Sequence, residues 1–161
     1  MDPRRILLAI SGGIAAYKTP ELLRALRKAG HDVRCVLTPE ATRFVSPLVL
    51  QSLSGRSVRL DLFDAGEEGE IDHIGLADWA ELVLVAPATA NLLAKMAHGL
   101  ADDLVSTVLL ATRAPVLVAP AMNLNMWAHP ATATNVAILR SRAGDEDDGR
   151  MAPRRDEPTI E

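Results

Sequence analysis

Three short runs constrain this chain more than anything else in it. Arg5–Ile10 (RILLAI), Glu81–Ala86 (ELVLVA) and Ala114–Ala119 (APVLVA) are strand-length and nearly all apolar. A strand with one wet face alternates apolar and polar residues, whereas a strand buried on both faces does not need to. The runs therefore predict the interior of a parallel sheet covered by helices. Asp32–Leu37 (DVRCVL) is a further strand. Each run ends at residues that break regular structure, among them Ser11-Gly12-Gly13, Thr38-Pro39, Pro87 and Pro120.

Helical patterns lie between the runs. In AAYKTPELLRALRKAG, Leu22, Leu23 and Leu26 make one apolar stripe, and Gly30 is placed to close the helix. Thr38-Pro39-Glu40 reads as an N-cap, an N1 proline and an early acid. SPLVLQSLSG opens at Ser46-Pro47 and closes at Gly55. Asn91–Ala97, Asp102–Ala111 and Thr134–Arg142 are also read as helices, and Ala65–Asp72 (AGEEGEID) as an acidic loop. The order β-α-β-α-α-(β)-α-β-α-β-α implies an α/β fold with a doubly wound parallel sheet and helices on both faces. One domain is expected over residues 1–142, followed by a charged, flexible segment at 143–161.

Charge divides the chain at the same place. The net charge is −4, yet residues 1–142 carry 14 basic and 14 acidic side chains. Residues 143–161 carry 3 Arg against 7 acids. The body is balanced, with no basic patch or aromatic platform of the kind that binds nucleic acid. Pro87, Thr89 and Arg113 interrupt the longest apolar stretches well short of a membrane span. The N-terminus has no cleavage-type apolar region, so no signal peptide is expected. Cys35 is the only cysteine and lies inside a strand, which excludes an internal disulfide and suits a cytoplasmic protein. No two of His31, His73, His98 and His129 share a helical turn, so no metal site is expected.

In a doubly wound sheet, ligands bind beyond the carboxyl ends of the strands. That rule selects four segments. SGGIAAYK can be a phosphate cradle or merely a tight strand-to-helix turn. Thr89 and Asn91 follow a buried strand, where they can bond a polar ligand, cap a helix, or both. Asp102 and Asp103 stand in a first helical turn, with Ser106 one turn inside. In PAMNLNMW, Asn123 has the donors and acceptors to hold a carboxylate or amide, and Met122, Met126 and Trp127 can wall a slot. The alternative is core Met and Trp around a turn Asn. His73 follows the acidic loop and leads into the central strand, where it can serve as a general acid or base.

Together, ISGGIAAYKTPEL, VLTPEATRFVSPLVLQSLSG, DHIGLADWAELVLVAPATANLLAKMAHGLADDLVSTVLLA and APAMNLNMW resemble the flavin-containing cysteine decarboxylases. The similarity covers nearly all of residues 4–142. It is nearest to the bacterial phosphopantothenoylcysteine decarboxylases, which form the N-terminal half of bifunctional coenzyme A biosynthesis flavoproteins. The resemblance implies a flavodoxin-like (Rossmann-like) fold and FMN as cofactor. It puts Gly12, Gly13, Ile14, Thr38, Thr89, Ala90, Asn91, Leu92, Ser106 and Ala121 at flavin-contacting positions. His73 matches the catalytic histidine. Asn123, with Met122 and Met126 beside it, matches the residue that holds the substrate carboxylate. The family's homo-oligomers are trimers or dodecamers, with flavin near a subunit interface.

The implied reaction turns phosphopantothenoylcysteine, a small cysteinyl substrate, towards phosphopantetheine. Removing hydride from the carbon bearing sulfur gives a thioaldehyde. That group can delocalise the carbanion left when CO2 departs. Flavin supplies the redox step, and the protein orients and protonates. A flap cysteine then protonates as hydride returns. Relatives acting on the C-terminal cysteine of a peptide stop at the enethiol, and some relatives bind flavin without catalysis.

One stretch departs from the family pattern. In SRAGDEDDGRMAP, Gly149-Arg150-Met151 resembles the end of the flap, but the strand, loop and cysteine ahead of it are missing. The chain reads as a join after a deletion, natural or engineered. Cys35 cannot replace the lost thiol. The expectation is that oxidation and decarboxylation survive while the final reduction is impaired.

Overall fold

Side chains alternate cleanly across the sheet. The computed structural model describes residues 2–62 and 72–143. Its strands are β1 (Arg5–Ile10), β2 (Asp32–Leu37), β3 (Leu82–Ala88) and β4 (Val116–Pro120). All pair in parallel, in the order β2-β1-β3-β4. This side-by-side order matches the first four strands of a flavodoxin-like sheet. A single bridge between Val36 and Arg59 continues the sheet beyond β2, where the bracketed strand was expected.

The helices are α1 (Thr19–Lys28), α2 (Pro47–Ser54), α3 (His73–Trp79), α4 (Ala90–His98), α5 (Leu104–Ala111), α6 (Leu124–Ala128) and α7 (Pro130–Ala143). On one face, Ile6, Leu8, Ile10, Val33, Cys35 and Leu37 pack with Leu23 of α1 and Leu50 of α2. On the other, Leu7, Ala9, Val36, Val83 and Val85 pack with residues of α3, α4, α5 and α7. Leu7, Leu8 and Ile10 are fully buried. Each such side chain contributes about 1.5–3 kcal/mol through removal of apolar surface from water.

Four expectations change in detail. The first helical pattern splits into a 3-10 turn at Ile14–Lys18 and then α1, because Pro20 suits a first turn and not a helix interior. Thr38 is not a side-chain cap. Pro39–Arg43 winds as a 3-10 turn, and the Thr38 hydroxyl makes no capping bond. The last helix begins at Pro130, ahead of the expected Thr134, and a short α6 precedes it. The run Ala114–Ala119 is not buried on both faces. It forms the edge strand β4, where Val118 is buried but Val116 and Leu117 are each 37% exposed. Helices α1 and α2 pack over β2 at the other side of the sheet, leaving that face of β4 uncovered among the described residues.

Most of the acidic loop, and residues 144–161 with the Gly149-Arg150-Met151 join, lie outside the described residues. No helix among the described residues is long and apolar enough to cross a membrane.

Candidate functional site at the carboxyl ends of the strands

Strand order reverses direction at β1. The chain steps from β1 to β2 on one side and returns to β3 on the other. The loops leaving β1 and β3 diverge at such a point and open a crevice. Here they are tied at its floor by one residue. Ser11 Oγ donates to the Pro87 carbonyl at 2.7 Å and accepts from the Thr89 N–H at 3.0 Å. Ser11 is buried, so both bonds are shielded from water.

The loop after β2 closes against the first loop. A Cβ placed on Gly12 would sit 2.8 Å from the Glu40 carbonyl carbon and nearer still to the Glu40 Cβ. Only glycine permits that approach. A Cβ on Gly13 would sit 3.3 Å from Thr89 Cγ2. Residues 11–13, 38–41 and 87–89 thus converge at one place. Ile14, next in the chain, is 70% exposed above them.

Two backbone termini face this crevice. Gly13 precedes the 3-10 turn in extended conformation, and no side chain caps it. Thr89 opens α4, and its Oγ1 accepts from the Leu92 N–H at 3.2 Å. Capping and a position at the site hold together for Thr89. Ala90, Asn91 and Leu92 form the first turn of α4; Asn91 is exposed and Leu92 buried. Thr38 is 5% exposed, and its Oγ1 has no hydrogen-bond partner. A buried hydroxyl without a partner is costly unless something else bonds it. The residues expected around a flavin therefore fit one: a glycine loop, a free backbone terminus, and an unpartnered hydroxyl behind them.

The fourth loop joins from β4. The Ala121 N–H donates to the Ala88 carbonyl at 3.0 Å, bringing PAMN beside the end of β3. Asn123 is the N-cap of α6, with Oδ1 accepting from the Asn125 N–H at 2.8 Å. Its side-chain amide remains exposed. Met122 and Trp127 pack against the core, while Met126 is 48% exposed. Only Met126 of the three expected wall residues is open to a ligand to that extent.

His73 is the first residue of α3. Asp72 caps that helix by accepting from the Gly75 N–H at 2.7 Å. Helix α3 runs into β3 at the amino edge of the sheet, so His73 is the end turned towards the carboxyl edge. No hydrogen bond joins His73 to Asn123 or to the three loops among the described residues.

Ser106 is buried, and it completes a capping box on α5. Its Oγ accepts from the Asp103 N–H and donates to Asp103 Oδ1 at 2.8 Å, while its N–H donates to the same oxygen at 2.7 Å. The hydroxyl proton is already committed, leaving Ser106 Oγ as an acceptor only. Asp103 also binds Lys95 Nζ at 3.1 Å, and Asp102 binds it at 2.8 Å. The hydrogen bond that Lys95 donates to Asp102 raises its ammonium above the ordinary value, burial opposes this, and the bond it donates to Asp103 adds to it. The same Lys95 bond lowers the Asp102 carboxyl. Asp102 is mostly exposed and Asp103 mostly covered, so the Asp103 contact matters more for structure.

Ser11 escapes a reading by motif, because its role depends on a partner 76 residues away. Cys35 is buried, and burial pushes its thiol up to about 12, so it is no acid or nucleophile at neutral pH. Among the described residues, no group of three or more His, Cys, Asp or Glu is arranged to hold a metal ion.

The chain is similar to known proteins in sequence and in fold. The coenzyme A biosynthesis bifunctional protein CoaBC of Escherichia coli is 53% identical over 139 residues, covering 86% of this chain and 34% of that protein. The chain thus spans about a third of that relative's length. Among solved structures, the FMN-dependent cysteine decarboxylase SpaF superimposes with a TM-score of 0.80 at 35% identity, covering 86% of this chain and 80% of that one. A mutant PPC decarboxylase complexed with pantothenoylaminoethenethiol gives 0.73 at 33% identity, covering 87% and 79%. The family model described as Flavoprotein matches residues 1–146, every converging loop included, and the chain belongs to that family.

Proposed function

We propose that this chain is an FMN-dependent decarboxylase of phosphopantothenoylcysteine, acting towards phosphopantetheine in coenzyme A biosynthesis. The observation that carries the reading is the convergence of residues 11–13, 38–41 and 87–89 at one place, with the Thr38 hydroxyl of the middle segment buried and unpartnered. The similarity to a coenzyme A biosynthesis protein and to FMN-dependent cysteine decarboxylases supports it.

Gly12, Gly13, Ile14, Thr38, Thr89, Ala90, Asn91, Leu92 and Ala121 hold the flavin. Ser106 contributes through its remaining lone pair or its backbone. The bound flavin supplies the hydride-transfer chemistry that a carboxylate alone lacks. Thr89 keeps the first turn of α4 wound, so its amides stay aimed at polar atoms of the ligand. The Asn123 amide is free to donate to the substrate carboxylate, because only its oxygen is used in capping. Holding that carboxylate fixes which bond faces the flavin. His73 takes the proton that the substrate thiol must lose when the carbon bearing sulfur becomes a thioaldehyde. Met126 shields the slot from water.

No cysteine other than Cys35 exists to protonate the carbanion in a final reduction, and Cys35 is buried on the α1–α2 face of the sheet. The chain therefore releases CO2 and stalls at the enethiol. This same absence favours a second reading, an oxidative peptidyl-cysteine decarboxylase whose end product is the enethiol. A non-catalytic flavin-binding role is the alternative to both.

The assembly belongs to the proposal too. The uncovered face at Leu117, with exposed Ile14, Tyr17 and Leu48, is apolar surface that a homotrimer would bury. The protein acts in the cytoplasm. The test compares wild type with His73→Asn and Asn123→Asp, each loaded with FMN. Both variants should retain flavin yet release less than a hundredth of the wild-type CO2 from phosphopantothenoylcysteine. Undiminished release by either variant contradicts the assigned role.

A further inference from the structure

Strand β2 presents Arg34 and Val36 to the face that is otherwise built from Leu7, Ala9, Val83 and Val85. An arginine is an expensive choice there. Its Nε is buried without a hydrogen-bond partner. Burial lowers its pKa first, Arg56 nearby lowers it further, and Asp32 partly compensates. A Leu or Met would fill the position without that cost. What Arg34 gains is a stacking partner. Its guanidinium lies 4.7 Å from the centre of the Trp79 ring. An ammonium cannot reproduce that planar contact.

Trp79 is the last residue of α3, and His73 is the first. The helix has only seven residues and is capped at one end by Asp72. Elsewhere it is anchored by buried Leu76 and Ala77 and by one bond, Thr112 Oγ1 to the Ala77 carbonyl at 3.2 Å. Its seven residues make about two turns and span about 10 Å, so Trp79 and His73 stand at opposite ends of one hydrogen-bonded segment. Rotation of Trp79 about the core contacts would swing His73 at the far end. The Arg34 stack restrains that rotation.

We infer that Arg34 is a positioning residue: by clamping Trp79 it fixes the orientation of α3 and so aims His73 into the site. The inference rests on His73 being the proton-moving group of the proposed reaction. Misplacing a catalytic group by about 1 Å costs on the order of 100-fold in rate. Loosening one of several anchors should cost less, about 10-fold.

The experiment uses the FMN-loaded protein and three variants: Arg34→Met, Arg34→Lys, and Arg34→Met combined with His73→Asn. Arg34→Met should lower the single-turnover rate of flavin bleaching at saturating substrate about 10-fold, with the half-saturating substrate concentration and FMN affinity within about two-fold of wild type. Arg34→Lys, which keeps the charge but not the plane, should fall nearly as far. In the His73→Asn background, Arg34→Met should have no further effect. Independently of activity, the His73 ring signals in the NMR spectrum of the protein should shift and broaden in Arg34→Met. Unmoved His73 signals would overturn the inference, as would an equal loss of rate with and without His73. Arg34→Lys reports even if the methionine variant does not fold. A wild type that decarboxylates no cysteinyl substrate would overturn the proposed reaction instead, and the NMR comparison would still decide whether Arg34 aims His73.

Discussion

At Thr38 a hydroxyl lies buried with nothing to bond. If it serves a ligand, Thr38→Val should leave the FMN-free protein as stable as wild type or more stable by about 1 kcal/mol, because an unsatisfied group is removed. FMN should then bind about ten-fold more weakly, equivalent to about 1.4 kcal/mol. Thermal melts of the FMN-free protein and a flavin-fluorescence titration check the two directions. Lower stability at unchanged affinity would make Thr38 a structural residue. Cys35 gives the complementary case. With its thiol pushed up to about 12, it should resist iodoacetamide at pH 8 in the native protein and react fully in urea. Stability tied to its neutral form is fully present below pH 9, where the unfolded thiol is also protonated. It is lost as pH rises from 9 towards 12, where only the unfolded chain ionises. At this scale the sequence was most readable where chemistry is local. The glycines, Thr89 and Asn123 stand at chain turns marked by neighbouring residues. Ser11, Arg34 and the hydroxyl of Thr38 were not readable, since each depends on a partner, or the lack of one, distant in sequence.

The elements depend on their ends. At the start of α5, the Asp103 carboxylate caps the helix by accepting from the Ser106 N–H, accepts from the Ser106 hydroxyl, and holds Lys95. Asp103→Ala removes all three contacts and should cost about 1–3 kcal/mol in urea unfolding. Asp102→Ala should stay within about 0.5 kcal/mol, because its carboxylate is exposed. Equal effects would show that the ion pair, and not the cap, carries the stability. Two of the helix closures were legible, at Gly30 and Gly55, which take positive φ values of 92° and 69°. Gly99, which closes α4 at 69°, and Pro20, where the 3-10 turn becomes α1, were not. The strand runs were legible as well, but not how far each is covered. β4 has the same apolar composition as β3 and lies at the edge of the sheet. Composition records what a strand tolerates, whereas burial depends on which neighbours the topology supplies. Helix α6 was hidden for a related reason: five residues beside a capping Asn resemble a turn.

For the whole molecule, the uncovered face of β4 raises the question of assembly. Leu117→Arg should dissociate the proposed trimer into folded monomers, seen as a roughly three-fold drop in mass by sedimentation with an unchanged circular dichroism spectrum. A wild type that is already monomeric would contradict the trimer. The fold itself followed from a few apolar runs and the helices between them, because a parallel sheet leaves little choice of connection. The site followed less completely, since it is assembled from four loops and the proposed acid–base group, His73, stands at a helix tip outside them. The decisive measurement on the whole molecule is anaerobic. FMN-loaded protein is mixed with phosphopantothenoylcysteine, the flavin absorption is followed, and the product is weighed by mass spectrometry. Lasting bleaching is expected, with about one equivalent of CO2 and of enethiol per flavin. Steady yellow colour with phosphopantetheine accumulating over many turnovers would contradict the stall, and steady colour with no CO2 would contradict the decarboxylase itself.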